Sequence, residues 1–360
     1  MRRIKTRNNR MSTSIEIGGR QIGSGNPAYI IAEAGSNHDG DFAVAIALID
    51  AAAEAGADAI KFQAFLAANH YSKHAPGFTY LEAQGSRQTT YDLIKSLEIN
   101  RDWHEPLIAH ANARGIAFLS SPCDVAAVEQ LNMLGMPAFK LASFDLPDRD
   151  LIRVMARFGK PLILSTGMAD YKDIQGALMA AQEVGNQQVI LLQCTSLYPA
   201  PAKLANLAAI NSMHQAFGVP VGYSDHTLGD HVCVAAVAMG ACVLEKHFTL
   251  DRSRSGPDHS FAIEPHELAV MVERVRDVEA AIGDGIKNGP RVAEREMYQK
   301  GRRSIHTRRA IKKGEVLTRD DLCSKRPGFG ISPDLIEILT GMSVSKDIPD
   351  DHWITWDDLK

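Results

Sequence analysis

The chain has 360 residues, 45% hydrophobic and 23% charged, with 39 Lys and Arg against 43 Asp and Glu for a formal net charge of -4. That length exceeds a single small module and suits two domains, or one large domain with an appendage, while the composition excludes disorder and coiled coil. No global basic field recruits nucleic acid or an anionic membrane, so any phosphate must be held locally.

The opening MRRIKTRNNRMSTS is basic, but no apolar segment of the export type follows it, and Met11 is a second candidate start. Residues 1–27 read as an N-terminal extension and lead-in. AYIIAE (28–33) reads as a strand, followed by a helix from Phe42 whose Ala45, Ile46, Ile49, Ala52 and Ala53 share one face and which Gly56 closes. DAIKFQ (58–63) is the next strand. Residues 64–90, rich in Ala, His, Gly and Ser, are the least regular part of the first 285 and read as a functional loop or lid.

Further strands are predicted at IAFLSS (116–121), AFKLAS (138–143), PLILST (161–166), QVILLQCT (188–195), PVGYSD (220–225) and ACVLEKH (241–247), with helical patterns between them. The last helix opens at Pro265 and repeats Leu268, Met271, Val272, Val275, Val278 and Ile282 at helical spacing. Eight alternating βα units over about 250 residues predict a (β/α)8 TIM barrel across 28–283. A doubly wound sheet fits less well, because no G-x-G-x-x-G follows the first strand.

GDGIKNGP, from Gly283, is a Gly, Asn and Pro punctuation that marks a domain boundary. Residues 284–301 read as a linker carrying a polar helix over 291–300, and 302–360 as a small C-terminal domain. KGRRSIHTRRAIKK (300–313) is locally basic and reads as a solvated face. The longest apolar run, Val232 to Leu244, is too short to span a bilayer. Cys123, Cys194, Cys233, Cys242 and Cys323 form no C-x-x-C pair, so reduced thiols in a soluble cytoplasmic protein are expected.

An active site in such a barrel lies at the C-terminal ends of the strands. Every predicted strand ends in polar side chains: Glu33; Lys61 and Gln63; Ser120 and Ser121; Lys140 and Ser143; Ser165 and Thr166; Gln193 and Thr195; Ser224, Asp225 and His226; Glu245 and His247. Any one of them alone is more commonly a cap or a satisfied polar group. Convergence of the set on one mouth is the functional signal. Two lysines among hydroxyls suit a small phosphorylated or carboxylated anion. No P-loop pattern exists, which disfavours nucleoside triphosphate chemistry. His226 and His247, on adjacent strand ends, suit either a divalent metal with open positions or one general base beside a hydrogen-bonded histidine, and spacing leaves both readings open. The other histidines, His70 and His74 among them, have no comparable company and read as structural or exposed.

The segments IAEAGSNHDGD (31–41), KFQ (61–63), SSP (120–122), FKLAS (139–143), ILSTGM (163–168), QCTSLYPAP (193–201), GYSDHTLG (222–229), EKHFTLD (245–251) and SGPDHSF (255–261) together resemble the sialic acid (nonulosonic acid) synthase family. RRSIHTRRAIKKGEVLTRDDLCSKRPGFGISP (302–333) resembles the antifreeze-like (SAF) domain of those synthases. The resemblance implies condensation of phosphoenolpyruvate with an open-chain N-acyl hexosamine to a nine-carbon 2-keto acid and phosphate, with a divalent metal, Mn2+ before Mg2+ or Co2+. It implies that His226 and His247 bind the metal, and that Lys61, Ser121, Lys140, Ser143, Ser165, Ser196 and Ser224 hold phosphoenolpyruvate. Glu33, Tyr198 and Asp258 would hold the sugar, with Gln63 beside the reacting groups. Asp145 stands where some members carry a water-activating Glu. Arg326 matches an arginine that the antifreeze-like domain of a neighbouring subunit contributes, implying a domain-swapped homodimer.

Ser196 replaces a common Asn, and Cys123 a common aromatic. LASFD and SSP look like pseudaminic acid synthases, whereas GYSDHTLG and GPDHSF look like N-acetylneuraminate or legionaminate synthases, so the sugar stays open between N-acetylmannosamine, its 6-phosphate and 2,4-diacetamido sugars. Two rivals remain: an aldolase using Lys61 or Lys140 as Schiff-base nucleophile, and a catalytically silent carbohydrate-binding or ice-binding scaffold, against which the full set of strand-end polar groups argues.

Overall fold

A hairpin of β1 (Ile15–Ile17) and β2 (Arg20–Ile22) precedes eight parallel strands: β3 (Tyr29–Gly35), β4 (Ala59–Ala64), β5 (Ala117–Pro122), β6 (Phe139–Leu141), β7 (Leu162–Ser165), β8 (Val189–Cys194), β9 (Val221–Asp225) and β10 (Val243–His247). The structure is a computed structural model that describes residues 14–77 and 89–360. Neighbours along the sheet run β5, β4, β3, β10, β9, β8, β7, β6, and β5 also lies against β6, closing the ring. This is the predicted (β/α)8 barrel.

The register explains how the interior is built. Glu33 is level with Lys61 and His247, Ser224 with Glu245 and Cys194, and Lys140 with Ile163. Alternate residues along each strand face inward, and that inward series changes from apolar to polar along the chain: Tyr29, Ile31, Glu33 on β3; Ala59, Lys61, Gln63 on β4; Val243, Glu245, His247 on β10. Ile31, Ala59, Leu119, Ile163, Ile190, Leu192 and Val243 form the apolar lower half, with Ile15, Ile17 and Ile22 of the hairpin packed into the same cluster. The hairpin thereby plugs the N-terminal mouth. Its signal was readable in the lead-in, as Ile15 and Ile17 alternate ahead of Gly18 and Gly19, which take positive φ of 58° and 81° in the turn.

The outward-facing residues, among them Ile30, Phe62, Phe118, Leu164 and Leu244, pack against helix residues such as Ile49, Leu107, Leu131, Ile152, Leu178 and Met271. Asp41, Asp124 and Asp148 cap the helices Phe42–Glu54, Val125–Met133 and Arg149–Ala156 with their carboxylates. The last barrel helix, Pro265–Ile282, starts at the predicted proline and buries Leu268, Met271 and Val275.

Two predicted elements take a different form from the expected one. The strand read over 138–143 stops at Leu141, and Ser143 opens a 3-10 turn, Ser143–Asp145; the Ser143 hydroxyl accepts the Gly167 N–H at 2.9 Å, so turn bonds replace the ladder there. The polar helix read over 291–300 is a 3-10 turn, Val292–Glu294, followed by a helix, Arg295–Gly301. Residues 78–88 of the irregular segment lie outside the described residues.

The chain divides into two compact units between Gly283 and Asp284. The second pairs β11 (Ser304–Thr307) with β12 (Leu322–Lys325) antiparallel around a core of Ile305, Ile311, Leu317, Leu322, Ile331, Leu339, Val344, Ile348 and Ile354. Among the described residues, no helix is long and apolar enough to cross a membrane.

Candidate active site

Four charged side chains meet inside the barrel above the apolar plug. Lys61 Nζ lies 2.6 Å from Glu33 Oε2 and 3.9 Å from Glu245 Oε1, and Lys140 Nζ lies 3.3 Å from the same Glu245 oxygen. Ser224 Oγ donates to Glu245 Oε1 at 3.3 Å, and Lys61 donates to Ser121 Oγ at 3.2 Å. Glu33, Lys61, Lys140 and Glu245 are each no more than 5% exposed, so none of these charges would persist without the others. Burial pulls the Lys61 ammonium down, but Glu245 and Glu33 outweigh it and hold it above the usual lysine range. Burial pushes Glu245 up, and Lys140 and Lys61 bring it below the usual range. Lys61 is therefore a fixed cation, poorly suited to act as the neutral amine that a Schiff base requires.

Further hydroxyls stand at the strand ends. Ser165 Oγ and Ser196 Oγ are buried and make no hydrogen bond, a costly state that a bound anion relieves. Gly167 holds them open: a Cβ there would collide with Ser196 Oγ and stand 2.9 Å from Ser143 Oγ. Its N–H, donated to Ser143, belongs to the same wall.

The His226 and His247 rings lie 5.2 Å apart. His226 Nδ1 donates to the Thr195 carbonyl at 2.7 Å, which fixes the tautomer and leaves Nε2 with its lone pair. Burial lowers the His226 pKa, yet Cys194, whose Sγ is 3.8 Å from Nδ1, and the Thr195 carbonyl raise it above the ordinary value. His247 is held well below the ordinary value by burial, then by electrostatic coupling to the neighbouring His226 and by the Lys61 ammonium. Its Nδ1 is buried without a hydrogen bond and faces Asp258 Oδ2 at 3.5 Å. Two neighbouring imidazoles, one oriented by a carbonyl and one with an unpartnered nitrogen beside a carboxylate, fit a divalent cation.

The Tyr198 ring sits 4.3 Å from that of His226 and 6.0 Å from that of His247, and Phe261 is 5.0 Å from His247. Gln63 Nε2 donates to Glu33 Oε1 at 2.7 Å. Gly35, at φ 53°, marks where these groups converge: a Cβ there would lie 3.3 Å from Gln63 Nε2 and from Glu33 Oε1, and 3.4 Å from Asp258 Oδ2. Burial, then Glu33, pushes the Asp258 carboxyl up to about 6.

The structure thus brings together Glu33, Lys61, Gln63, Ser121, Lys140, Ser143, Ser165, Ser196, Tyr198, Ser224, His226, His247 and Asp258. Several other strand-end groups serve the scaffold. Ser120 lies on the outward parity of β5; Asp225 faces outward to pair with the buried Lys246 at 2.7 Å; Gln193 and Thr195 donate to the carbonyls of Ala205 and Leu204. Glu245 had no assigned role in the sequence reading, because its partners come from distant strands. His70, read as structural or exposed, instead stands by Asp145, with His70 Nδ1 3.9 Å from Asp145 Oδ1. Arg326 lies in the second unit, directly after β12.

The model of the NeuB family matches residues 48–287, and that of the SAF domain matches 302–360. The chain is 43% identical over 345 residues to an uncharacterized protein, MJ1065, of Methanocaldococcus jannaschii, covering 96% of this chain and 98% of that one. It is 42% identical to the N,N'-diacetyllegionaminic acid synthase of Campylobacter jejuni, covering 90% and 98%. The crystal structure of the N-acetylneuraminic acid (sialic acid) synthetase of Leptospira borgpetersenii, in complex with citrate, superposes with a TM-score of 0.71 at 35% identity, covering 79% of this chain and 95% of that one. A barrel with this strand-end set, followed by this small second unit, is therefore an enzyme of the NeuB family carrying a C-terminal SAF domain.

Proposed function

We propose that the barrel condenses phosphoenolpyruvate with an open-chain N-acyl hexosamine, giving a nine-carbon 2-keto sugar acid and inorganic phosphate. The observation that carries this reading is that two buried lysines, two unpartnered hydroxyls and the His226 and His247 pair share the C-terminal end of one barrel. Lys61, Lys140, Ser121, Ser143, Ser165, Ser196 and Ser224 hold the phosphate and carboxylate, supplying point charge and directional donors within one wall. Glu33, Tyr198 and Asp258 hold the sugar, and Gln63, fixed by Glu33, lies beside the reacting carbons. His226 and His247 would hold a divalent ion, Mn2+ first and Mg2+ or Co2+ as alternatives, which supplies Lewis acidity at the sugar aldehyde.

C3 of phosphoenolpyruvate forms the new bond to the aldehyde carbon, whose oxygen gains a proton, and C2 is left cationic. Water adds at C2 and loses a proton, and the resulting tetrahedral centre breaks its bond to the phosphate oxygen as its hydroxyl proton passes to the departing phosphate and the C2 ketone forms. Asp145 is the group offered for the water proton; burial raises its carboxyl above the usual range, which suits a base working closer to neutrality. Arg326 completes the sugar site from a neighbouring subunit in a domain-swapped homodimer, a reading supported by the KRPGFG resemblance. The 42% identity to a synthase named for diacetyllegionaminic acid supports a 2,4-diacetamido acceptor, ahead of N-acetylmannosamine or its 6-phosphate. Five free thiols support a cytoplasmic location. Phosphate release from phosphoenolpyruvate, measured separately with each acceptor in Mn2+ and in chelator, tests the reading; no release with any acceptor would count against it.

A further inference from the structure

We propose that His70, Cys123 and Asp145 form a second metal site on the barrel rim, selective for a thiophilic divalent ion such as Zn2+ or Co2+. Three consecutive barrel strands each deliver one ligand. His70 ends the short helix Ala67–His70 after β4, Cys123 follows β5, and Asp145 ends the 3-10 turn after β6. One donor atom from each lies within 4.8 Å of the others. Asp145 alone spans the group, with Oδ1 3.9 Å from His70 Nδ1 and Oδ2 3.9 Å from Cys123 Sγ. Ligand bonds of about 2.0–2.3 Å in a tetrahedral site separate donors by roughly 3.3–3.8 Å, so a contraction smaller than a bond length closes the site. The His70 and Asp145 side chains are 20% and 16% exposed, open enough to admit an ion yet partly desolvated.

The chemistry of the set separates it from the histidine pair deeper in the barrel. Burial, then Asp145, pushes the Cys123 thiol well up, so without metal it is a neutral S–H within reach of the Ser121 carbonyl and Asp145 Oδ2, not a nucleophile. On binding, the S–H proton goes to solvent and the thiolate takes the ion in its place. A thiolate, an imidazole and a carboxylate favour Zn2+ or Co2+ over Mn2+ or Mg2+. Three protein ligands leave a fourth position to water. An ion there ties the Ala67–His70 helix to the Ser143–Asp145 turn and, resting on the reaction proposed above, withholds Asp145 from proton transfer, making the site inhibitory.

Titration of the full chain with Co2+, read by the thiolate-to-cobalt charge-transfer absorption in the near ultraviolet, tests the site without reference to turnover. One saturable equivalent with that absorption is expected, displaced by Zn2+ and retained in excess Mn2+. Cys123→Ser is expected to abolish the band and His70→Ala to weaken Co2+ binding about tenfold or more, while Cys194→Ser and the double variant His226→Ala/His247→Ala keep it. Absence of the band in the unsubstituted chain, its survival in Cys123→Ser, or its loss in Cys194→Ser would overturn the proposal.

Discussion

Lys140 and Glu245 pair at 3.3 Å although β6 and β10 stand on opposite sides of the closed ring, four places apart in strand order. The ion pair spans the barrel interior and, with Lys61 and Glu33, sets a floor of charge beneath the mouth. Because neither lysine can leave this cluster without stranding a buried carboxylate, the cations are held in place before any ligand arrives.

Replacing Glu245 with Gln removes the charge that both lysines share. Breaking a buried pair costs about 3–5 kcal/mol, and a loss of that size in urea denaturation is expected for Glu245→Gln. A loss below about 1 kcal/mol, the range of a surface pair, would mean the cluster is hydrated.

Gly167→Ala tests the hydroxyl wall. The added methyl meets Ser196 Oγ and Ser143 Oγ and displaces donors aimed at the phosphoenolpyruvate anion. A fall of about 100-fold in kcat/KM is expected from a displacement on the ångström scale, with a far-ultraviolet circular dichroism spectrum like that of the unsubstituted chain. Unchanged kinetics would remove Ser143 and Ser196 from the proposed binding set.

His226→Ala is expected to lower Mn2+-dependent turnover about 1,000-fold, several kcal/mol of barrier, while leaving the fold intact. Full activity in this variant would sink the metal assignment.

His104 gives the clearest pH dependence away from the site. It is fully buried, its Nδ1 facing Gln130 Oε1 at 3.3 Å, and burial lowers its pKa from 6.5 to about 4. The unfolded chain therefore binds the proton first as pH falls, so this contribution to stability is present above pH 6.5 and drains away toward pH 4. Between pH 7 and pH 5 the loss amounts to about 2 kcal/mol. In His104→Leu, the difference in unfolding free energy between the two pH values is expected to shrink by that amount; an unchanged difference would place the titration elsewhere.

The eight barrel strands were legible because each is a short apolar run, buried on both faces, that turns polar at its end. The parity of those ends was not. Ser120 and Asp225 occupy strand ends just as Ser121 and Ser224 do, yet a shift of one residue turns them outward, where Asp225 meets Lys246. Glu245 stood in plain view at a strand end, but its role depends on ring closure bringing β10 opposite β6. Local patterning carries no trace of that pairing. His70 was passed over for the same reason, since Cys123 and Asp145 reach it from two other strands. Ser143 was read as part of a strand because its turn is held by a bond from the Gly167 N–H, at the end of the neighbouring strand.

The most direct test of the central claim is carbon NMR of the products formed from phosphoenolpyruvate labelled at C3, with a 2,4-diacetamido hexose and Mn2+. The account predicts that the label appears in a methylene bonded to the former aldehyde carbon of the sugar, with one phosphate released per product. Label recovered only as the methyl group of pyruvate, or trapped on Lys61 or Lys140 by borohydride, would contradict it.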